Sequence, residues 1–527
     1  MSPTGIDEAS EWLVSCLNEA AAEKSDCLRM RLLFEEALLN LRGRFGGETP
    51  ARVVLEGRHG RFRVRLMVEG ERYNPLKSEE EQEDWPASLF SVIDLHVHCS
   101  YSRGTNVVRI SMPRASMNPV LKIAIALVAG ALIGLLGNVA IPDGMQEAVS
   151  DAVLAPIADM WVRVLQAISG PVIFLTALTA TFDTKRISEL GGSRVSVLVR
   201  YFAISAVVVV FTMLCSRPFF PLEIEAVHVS RGVLTDVLSG VLQVIPENLV
   251  EPFATANTPQ LLLIAIVTGY LLASMDARIG ELKRLISQLN ALGLVVAKQV
   301  CALVPFFVGV LLCLKMWTHD TALLGAIWFP LVLATAISVV VLLVTLLVVS
   351  MRYRVNPLVL ARKLSGPFVD GLKRGTLDFS IVDDLAGSCK RLLGIDAGFA
   401  RASLPTGLFL YMPISAVGLC VFVLFAAQIQ GLSIDQMWVV SAAALSVVLA
   451  VATPPVTGAN LLSFVMAFSY LGIASDAMLD VMVFDLVFGV LCIAFDQAML
   501  QLETINQAER MGFLDQDALR APVANEG

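Results

Sequence analysis

Residues 403–428 read SLPTGLFLYMPISAVGLCVFVLFAAQ, and this stretch decides the fold of the chain. It carries no charged residue and is long enough to cross a hydrocarbon core of about 30 Å. Pro405 and Pro413 flank Gly407, and each proline removes a backbone donor that lipid cannot replace. The stretch therefore predicts a membrane-spanning helix with a break that faces protein or a water-filled cavity. The alternative is a proline kink in a helix that serves packing alone.

The composition of the whole chain favours a membrane protein. Of its 527 residues, 56% are hydrophobic and 16% are charged, and the mean hydropathy is +0.71. These values are typical of a polytopic membrane protein and too apolar for a soluble globule. The net charge of -8 argues against nucleic acid as a partner. The nine cysteines are scattered singly, so we expect neither a disulfide framework nor a zinc site.

The charged residues are concentrated before residue 116, where we expect a small soluble α/β sandwich domain over residues 1–115. Helical spacing of apolar residues covers 6–22 and 28–45, and strand alternation covers 52–56 and 62–68. His96 and His98 share one face of a predicted strand and have the chemistry of metal ligands. A third ligand is missing nearby, so we expect a solvated strand face and no metal site.

Three segments of this domain, FEEALLN at 34–40, YNPL at 73–76 and YSRGTNVV at 101–108, resemble the histidine-kinase-like ATPase fold of anti-sigma-factor kinases. The resemblance implies that Glu36 and Asn40 handle water and magnesium at a nucleotide site. The aspartate that reads adenine in that family is Val68 here, and the glycine-rich lid is replaced by DWPASL at 84–89. We therefore expect a degenerate domain that binds ATP weakly or not at all.

Residues 116–355 contain six predicted spans, at 118–139, 155–181, 195–215, 234–275 (broken), 292–314 and 322–349. Basic residues collect after the second, fourth and sixth spans, and the loops after the first and seventh have none. Short cytoplasmic loops are rich in Lys and Arg. The pattern predicts a multi-pass protein of the cell inner membrane with the N-terminus and the C-terminus in the cytoplasm.

Residues 117–512 resemble the sodium:dicarboxylate/amino-acid symporter (glutamate transporter) family. The matching positions of its seventh helix are Pro405, Gly407, Met412, Phe425, Ala427 and Gln428. Asp485 and Asp496 reproduce the eleven-residue spacing of two aspartates in its eighth helix. The resemblance implies eight transmembrane helices, two re-entrant hairpins at 357–395 and 449–473, and a homotrimer. It also implies an elevator-type transport core at 356–512, followed by a tail at 513–527.

In that family the first of these aspartates binds the amino group of the substrate, and an arginine pairs with its side-chain carboxylate. The second aspartate holds sodium together with an NMDGT segment, which reads YMPIS at 411–415 here. The resemblance thus implies these substrate-binding candidates: Asp378, Met412, Ser415, Val456, Gly458, Asp485, Phe488, Gly489 and Cys492. It implies these candidates for a cation or proton site: Gly407, Tyr411 and Asp496.

The first hairpin differs from the family at its tip, where acids replace serines. Asp378, Asp383 and Asp384 would each cost about 2.5 to 3.5 kcal/mol at the centre of a bilayer unless solvated or paired. Either this tip is hydrated, or it lies at a shallower depth than in the family.

Phe488 stands where the family has its arginine, and a phenylalanine cannot pair with a carboxylate. We therefore expect a symporter of an uncharged or cationic small organic solute, coupled to protons or to fewer sodium ions, and neither an enzyme nor a carrier of acidic amino acids. The alternative is a non-transporting membrane sensor or regulator built on a decayed transporter fold. In either case the expected partners are the lipid bilayer, a small-molecule solute and a cytoplasmic protein regulator at the N-terminal domain.

Overall fold

A computed structural model describes most of the chain and divides it into two compact units, Met1–Met117 and Asn118–Gly527. The described residues are 3–19, 24–47, 49–58, 61–71, 73, 96–102, 104–111, 119–183, 194–220, 246–255, 257–275, 279–318, 327–374, 381–432, 434, 436–453, 460–474 and 477–522.

The N-terminal unit is a four-stranded antiparallel sheet covered on one face by two helices. The helices are α1 (Pro3–Glu19) and α2 (Lys24–Phe45), and the strands are β1 (Ala51–Arg58), β2 (Arg61–Glu69), β3 (His96–Ser102) and β4 (Thr105–Ser111), in the order β1-β2-β4-β3. Because side chains alternate along a strand, the even-numbered residues of β2 and β4 face the helices. Their buried members are Val64, Leu66, Val68, Asn106, Val108 and Ile110. The predicted small α/β domain is present, and its kinship to ATPases stays a prediction.

The membrane unit opens with one group of apolar helices. They are α3 (Pro119–Ala140), α4 (Asp143–Val149), a π-helical turn (Ser150–Leu154), α5 (Ala155–Asp183), α6 (Arg194–Ser216), α7 (Glu251–Ala254), α8 (Thr258–Ser274), α9 (Gly280–Cys301), α10 (Val304–Trp317) and α11 (Trp328–Tyr353). The second half contains α12 (Pro357–Arg374), α13 (Val382–Leu393), α14 (Ala397–Leu410), α15 (Pro413–Ile429), α16 (Gln436–Ala452), α17 (Asn460–Leu471), α18 (Met478–Arg510) and α19 (Gln516–Arg520).

Within the described residues, 7 helical stretches are long and apolar enough to cross a membrane. The 17-residue helix α8 lies at the C-terminal end of the predicted fourth span, 234–275. Residues 221–245 lie outside the described part. The predicted polytopic helical fold is confirmed.

Two of the predicted spans belong to helices that extend beyond the apolar residues used to predict them. The fifth begins at Gly280 in α9, and the chain turns at Ala302 and Leu303 before α10 continues it. The eighth, which the apolar residues predict at 481–501, runs from Met478 to Arg510. In both cases the extension is polar, so a search for apolar residues alone detects only part of the helix.

Two helix pairs form the predicted hairpins. The second arms, α13 and α17, have 12 residues each, which is about 18 Å of helix and too short to cross a core of about 30 Å. The predicted tip residues 375–380 and 454–459 lie outside the described part. Beside the tip of the first hairpin, Asp383 pairs with Arg401 and Asp384 pairs with Arg374 at exposed positions.

Two groups of packing contacts stand out within the compact unit Asn118–Gly527, and they are joined where α17 packs against α5. In the first group α3 packs on α10, and α5 packs on α8 and α9. In the second group α18 packs against α11, α12, α14, α15 and α17, while α6 packs against α15 and α16. The short helix α19 closes the second group, where Lys363 Nζ donates to the carbonyls of Ala518 and Leu519 at 2.8 Å each.

Candidate functional site

The helix that carries the opening stretch is broken at two residues. Tyr411 and Met412 have non-helical φ/ψ values of -129°/82° and -127°/63°, between α14 and α15. The position before a proline is biased away from the helical region, and Pro413 is the first residue of α15, where a missing N–H costs least. Pro405 lies inside α14, which continues through it. The predicted break therefore occurs before the second proline only.

Asp496 of α18 caps the new helix N-terminus that this break creates. Its Oδ1 accepts from the Ile414 backbone N–H at 2.8 Å. Its Oδ2 accepts from the Ser415 N–H at 3.1 Å, from Ser415 Oγ at 2.8 Å and from Cys492 Sγ at 3.3 Å. A carboxylate at a helix N-terminus satisfies free donors and complements the helix dipole. Asp496 thus fastens α18 to the broken helix.

Asp485 lies about three helical turns before Asp496 and makes a different contact. Its Oδ1 accepts from Asn460 Nδ2 at 2.8 Å, and Asn460 is the first residue of α17, directly after the tip of the second hairpin. Gly489 leaves room beside this carboxylate, because a Cβ there would lie 3.0 Å from Asp485 Oδ1. The first aspartate therefore joins the hairpin to α18.

A small, partly open cavity lies between α15, α16, α17 and α18. Its lining combines apolar walls with a few polar groups and consists of Ser415, Gly418, Leu419, Ala450, Thr453, Asn460, Ser463, Phe464, Phe484, Asp485, Phe488 and Cys492. Concave, mostly apolar sites with a few convergent polar groups are typical of small-molecule binding. Among the described lining residues, Asp485 is the only one with a carboxylate, and none is a lysine or an arginine.

Phe488 forms one wall of the cavity by close packing. Its ring is stacked on that of Phe484, with centroids 5.1 Å apart and planes 21° apart. It also lies against Gly418 of α15, where a Cβ would come within 2.3 Å of Phe488 Cε1. Position 488, where the family that this chain resembles has an arginine, is therefore occupied by an apolar ring in tight contact with its neighbours.

The structure brings together five of the predicted substrate residues: Ser415, Asp485, Phe488, Gly489 and Cys492. Met412 is buried at the break. Asp378, Val456 and Gly458 lie outside the described residues. In the N-terminal unit, Glu36 of α2 is half-buried and Asn40 is exposed.

The three predicted ion-site residues lie on both sides of the break and make different contacts. The Gly407 carbonyl accepts from the Tyr411 N–H at 2.9 Å, and the Tyr411 ring packs on Tyr201 of α6 with centroids 4.9 Å apart. Asp496 contacts the other side of the break, because its carboxylate accepts hydrogen bonds from the first turn of α15.

Sequence reasoning missed two ion pairs inside the membrane unit. Arg200 of α6 pairs with Glu503 of α18 through Nη2 at 2.9 Å and through Nε. Lys315 of α10 pairs with Asp480 of α18 at 2.7 Å. The available signal was a charged residue inside an otherwise apolar span, which is rare and marks a function or a partner.

A hydrogen-bonded chain extends from the first of these pairs to the broken helix. Gln507 Nε2 donates to Glu503 at 3.4 Å and to Tyr201 Oη at 2.8 Å. Ser403 Oγ of α14 donates to Gln507 Oε1 at 2.8 Å. The helices α6, α14 and α18 are therefore joined by polar contacts as well as by apolar packing.

Within the described residues, a bundle of apolar helices that contains a broken helix, and a small cavity beside it with a single carboxylate from Asp485, are typical of the class of secondary transporters. The chain belongs to the sodium:dicarboxylate symporter family, whose model matches residues 120–494. The family consists of symporters and not of enzymes. This confirms the resemblance drawn from the sequence for residues 117–512.

Known relatives are distant. The serine/threonine transporter SstT of Campylobacter jejuni is 23% identical over 391 residues, which cover 72% of this chain and 90% of that protein. The C4-dicarboxylate transport protein of Acinetobacter baylyi is 22% identical over 200 residues, 35% of this chain and 45% of that protein. The protein of the same name from Deinococcus radiodurans is 23% identical over 206 residues, 37% and 44% respectively. The chain therefore spans less than half the length of these C4-dicarboxylate relatives.

Proposed function

We propose that this protein carries a small uncharged or cationic organic solute across the cell membrane by symport. The observation that supports the proposal is the cavity chemistry, in which Asp485 supplies an acceptor for a donor group and Phe488 supplies an apolar wall. A solute whose only charged groups are carboxylates would meet the charge of Asp485 and no cation from the described lining, whereas an ammonium on the solute would pair with Asp485. Like charges at close range in a low dielectric repel strongly.

We propose that the solute is compact and presents an ammonium, hydroxyl or amide donor to Asp485. The printed names of the relatives include carriers of serine and threonine and carriers of C4-dicarboxylates. The donors of serine and threonine suit Asp485 and the hydroxyls of Ser415, Thr453 and Ser463, whereas two carboxylates do not. The preferred solute is therefore an amine or a hydroxyl amino acid.

We place the coupling ion, a proton or a sodium ion, at Asp496. Two of the groups that face its Oδ2 are the Ser415 hydroxyl and the Cys492 thiol. The hydroxyl rotates freely and turns either a proton or a lone pair toward an incoming ion. A thiol is a poor ligand for sodium, which prefers hard oxygens, so the donor set favours a proton.

We further propose a homotrimer in which the helices from α12 to α18 move as an elevator. Both termini are placed in the cytoplasm, because the basic loops follow the even-numbered spans. The N-terminal unit is then available to a cytoplasmic regulator.

The deciding experiment is uptake into proteoliposomes that contain the purified full-length protein. The solute panel includes serine, threonine, small primary amines, neutral amides, succinate and aspartate, each tested with a sodium gradient, a pH gradient or neither. We expect saturable uptake of an amine or a hydroxyl amino acid that is lost in Asp485→Asn. Uptake of succinate alone would contradict the proposal.

A second candidate function is that of a non-transporting sensor. It is supported by the Asn460–Asp485 hydrogen bond, by which the chain itself occupies the carboxylate that a solute would use. Under this alternative, a solute of the panel binds in a thermal-shift assay but shows no flux under any gradient.

A further inference from the structure

The open face of the N-terminal sheet is rich in arginine. The four strands contain six arginines and two glutamates, whereas α1 contains four acidic residues and no basic one. The helical side is mixed in charge, because α2 contains five basic and three acidic residues, so the excess of positive charge in this unit lies on the sheet, in a chain whose net charge is -8.

The register shows which of these arginines lie together. Arg65 of β2 is directly opposite Arg109 of β4, Arg63 is opposite Glu56 and Ser111, and Arg52 is opposite Met67. Directly opposite residues of antiparallel strands share a face. Because the even-numbered residues of β2 and β4 are buried under the helices, these arginines lie on the other face, where Arg52, Arg63 and Arg109 are exposed.

The Arg65–Arg109 pair is unfavourable within an isolated sheet. Like charges directly opposite each other destabilise an antiparallel pair, and Glu56 compensates Arg65 through a 2.9 Å ion pair that is itself partly exposed. Arg63 and Arg109 keep exposed guanidinium groups, which favour planar anions such as phosphates. An anionic surface would remove the repulsion.

The length of the connecting chain limits which anionic surface this face can reach. Ser111 ends β4 and Pro119 begins α3, and the seven residues between them span at most about 30 Å. Since α3 is a membrane-spanning helix, the C-terminal end of β4 stays within that distance of the start of α3. A tethered surface has a high effective concentration compared with a free partner.

We propose that the face formed by Arg52, Arg63, Arg65 and Arg109 binds the anionic headgroups of the membrane in which the protein is embedded. Each arginine that reaches such a surface strengthens the attachment roughly fivefold. The inference is independent of the solute and rests only on the membrane location of the chain.

The test is a footprint of arginine reactivity on the full-length protein. Nanodiscs of phosphatidylcholine alone are compared with nanodiscs that also contain phosphatidylglycerol, and p-hydroxyphenylglyoxal modification is read at each arginine by mass spectrometry. We expect modification of Arg52, Arg63 and Arg109 to fall roughly fivefold with the anionic lipid and to return in high salt, while Arg42 on α2 stays unchanged.

Two variants make the test specific. In Arg63→Gln/Arg109→Gln, the modification of Arg52 is expected to become independent of lipid charge. In the matched control Arg42→Gln/Arg44→Gln, which removes the same charge from α2, Arg52 keeps its lipid dependence.

Three results would overturn the proposal. Equally high modification in both nanodiscs would show that this face does not bind lipid headgroups. Low modification in both would show that a protein surface, such as a second copy, covers it. Equal protection by inorganic phosphate in neutral nanodiscs would show a site for a free anion and not for lipid.

Discussion

Lys315 Nζ lies 2.7 Å from Asp480 Oδ2, and this ion pair joins α10 to the first turn of α18. The two side chains are only 10% and 5% exposed. The helix α18 belongs to the set α12–α18 that we propose to move, and α10 does not, so the pair crosses the boundary of the proposed elevator movement. A buried pair is strongly destabilising when one partner is removed, because the other charge is left without compensation.

We expect Lys315→Met alone, or Asp480→Leu alone, to lower the free energy of unfolding by about 3 to 5 kcal/mol. The double variant Lys315→Met/Asp480→Leu is expected to recover most of this loss, since no buried charge remains. Thermal unfolding in detergent provides the double-mutant cycle. The control is the exposed pair Arg374–Asp384, whose disruption should cost less than about 1 kcal/mol. Additive losses at 315 and 480 would show that the two charges are not coupled.

Gly418→Ala tests the contact between α15 and the Phe488 ring. The new Cβ would lie 2.3 Å from Phe488 Cε1, so we expect a loss of about 1 to 3 kcal/mol from overpacking. Phe488→Leu in the same chain should relieve it. Gly387→Ala is the matched control, because it is helical with nothing within 4 Å and should gain about 1 kcal/mol. An equal response at 418 and 387 would mean that the ring does not hold this position.

Neither L-glutamate nor L-aspartate should be transported, and Phe488→Arg should not create such transport. An arginine at 488 is three residues from Asp485 on the same helix face and would pair with it, so it would not be free for a solute carboxylate. It would also lose the stacking on Phe484 and the contact with Gly418. The measurement is sodium-driven uptake of labelled aspartate by both proteins. Saturable uptake by the unmodified protein would refute the expectation.

Asp485→Asn and Asp496→Asn should have different effects on transport. At 485 the change removes the charged acceptor in the cavity, and we expect solute affinity to fall by about tenfold to a hundredfold, the range for a hydrogen bond to a charged group. At 496 we expect binding to persist and ion-driven flux to be lost, because an amide cannot exchange a proton and offers a weaker ligand. Asp384→Asn, at an exposed ion pair, is the control.

The assay for this pair is solute binding together with pH-gradient-driven and sodium-gradient-driven flux, using the solute that the uptake panel identifies. If both substitutions weaken binding equally, the division of roles between the two aspartates is wrong. If neither changes flux, both are structural.

ATP should bind the N-terminal unit weakly or not at all. Val68 is buried in the core of this unit and cannot accept a hydrogen bond from the adenine amino group. Isothermal titration of the full-length protein in detergent, with magnesium present, measures the affinity. A micromolar dissociation constant would contradict the prediction.

The sequence predicted the parts of the fold that depend on local chemistry. Apolar length located the spans, and Pro413 located the break, because proline restricts the residue before it. The same reasoning gave Pro405 equal weight, although α14 continues through that residue. A proline inside a packed helix is tolerated when neighbours compensate, and the sequence does not show which neighbours those are.

The contacts of the site were beyond local reasoning. Arg200 and Glu503 are 303 positions apart, and Lys315 and Asp480 are 165 apart. Each was visible as a charge in or beside an apolar span, but the pairing depends on how the helices pack. The capping of α15 by Asp496 is of the same kind, because it needs both the break at Met412 and the approach of α18.

Asn460 competes with a solute for Asp485, because its amide already donates a hydrogen bond to this carboxylate. A solute donor that replaces Asn460 at Asp485 Oδ1 exchanges one hydrogen bond for another, so its affinity is a difference and not the full strength of its own contact. Weak donors gain nothing from the exchange, whereas an ammonium gains a charge-assisted bond. Since Asn460 begins the second arm of the hairpin, the same exchange removes a hydrogen bond between that arm and α18. For a solute bound in this way, recognition and the weakening of the hairpin's attachment are one event.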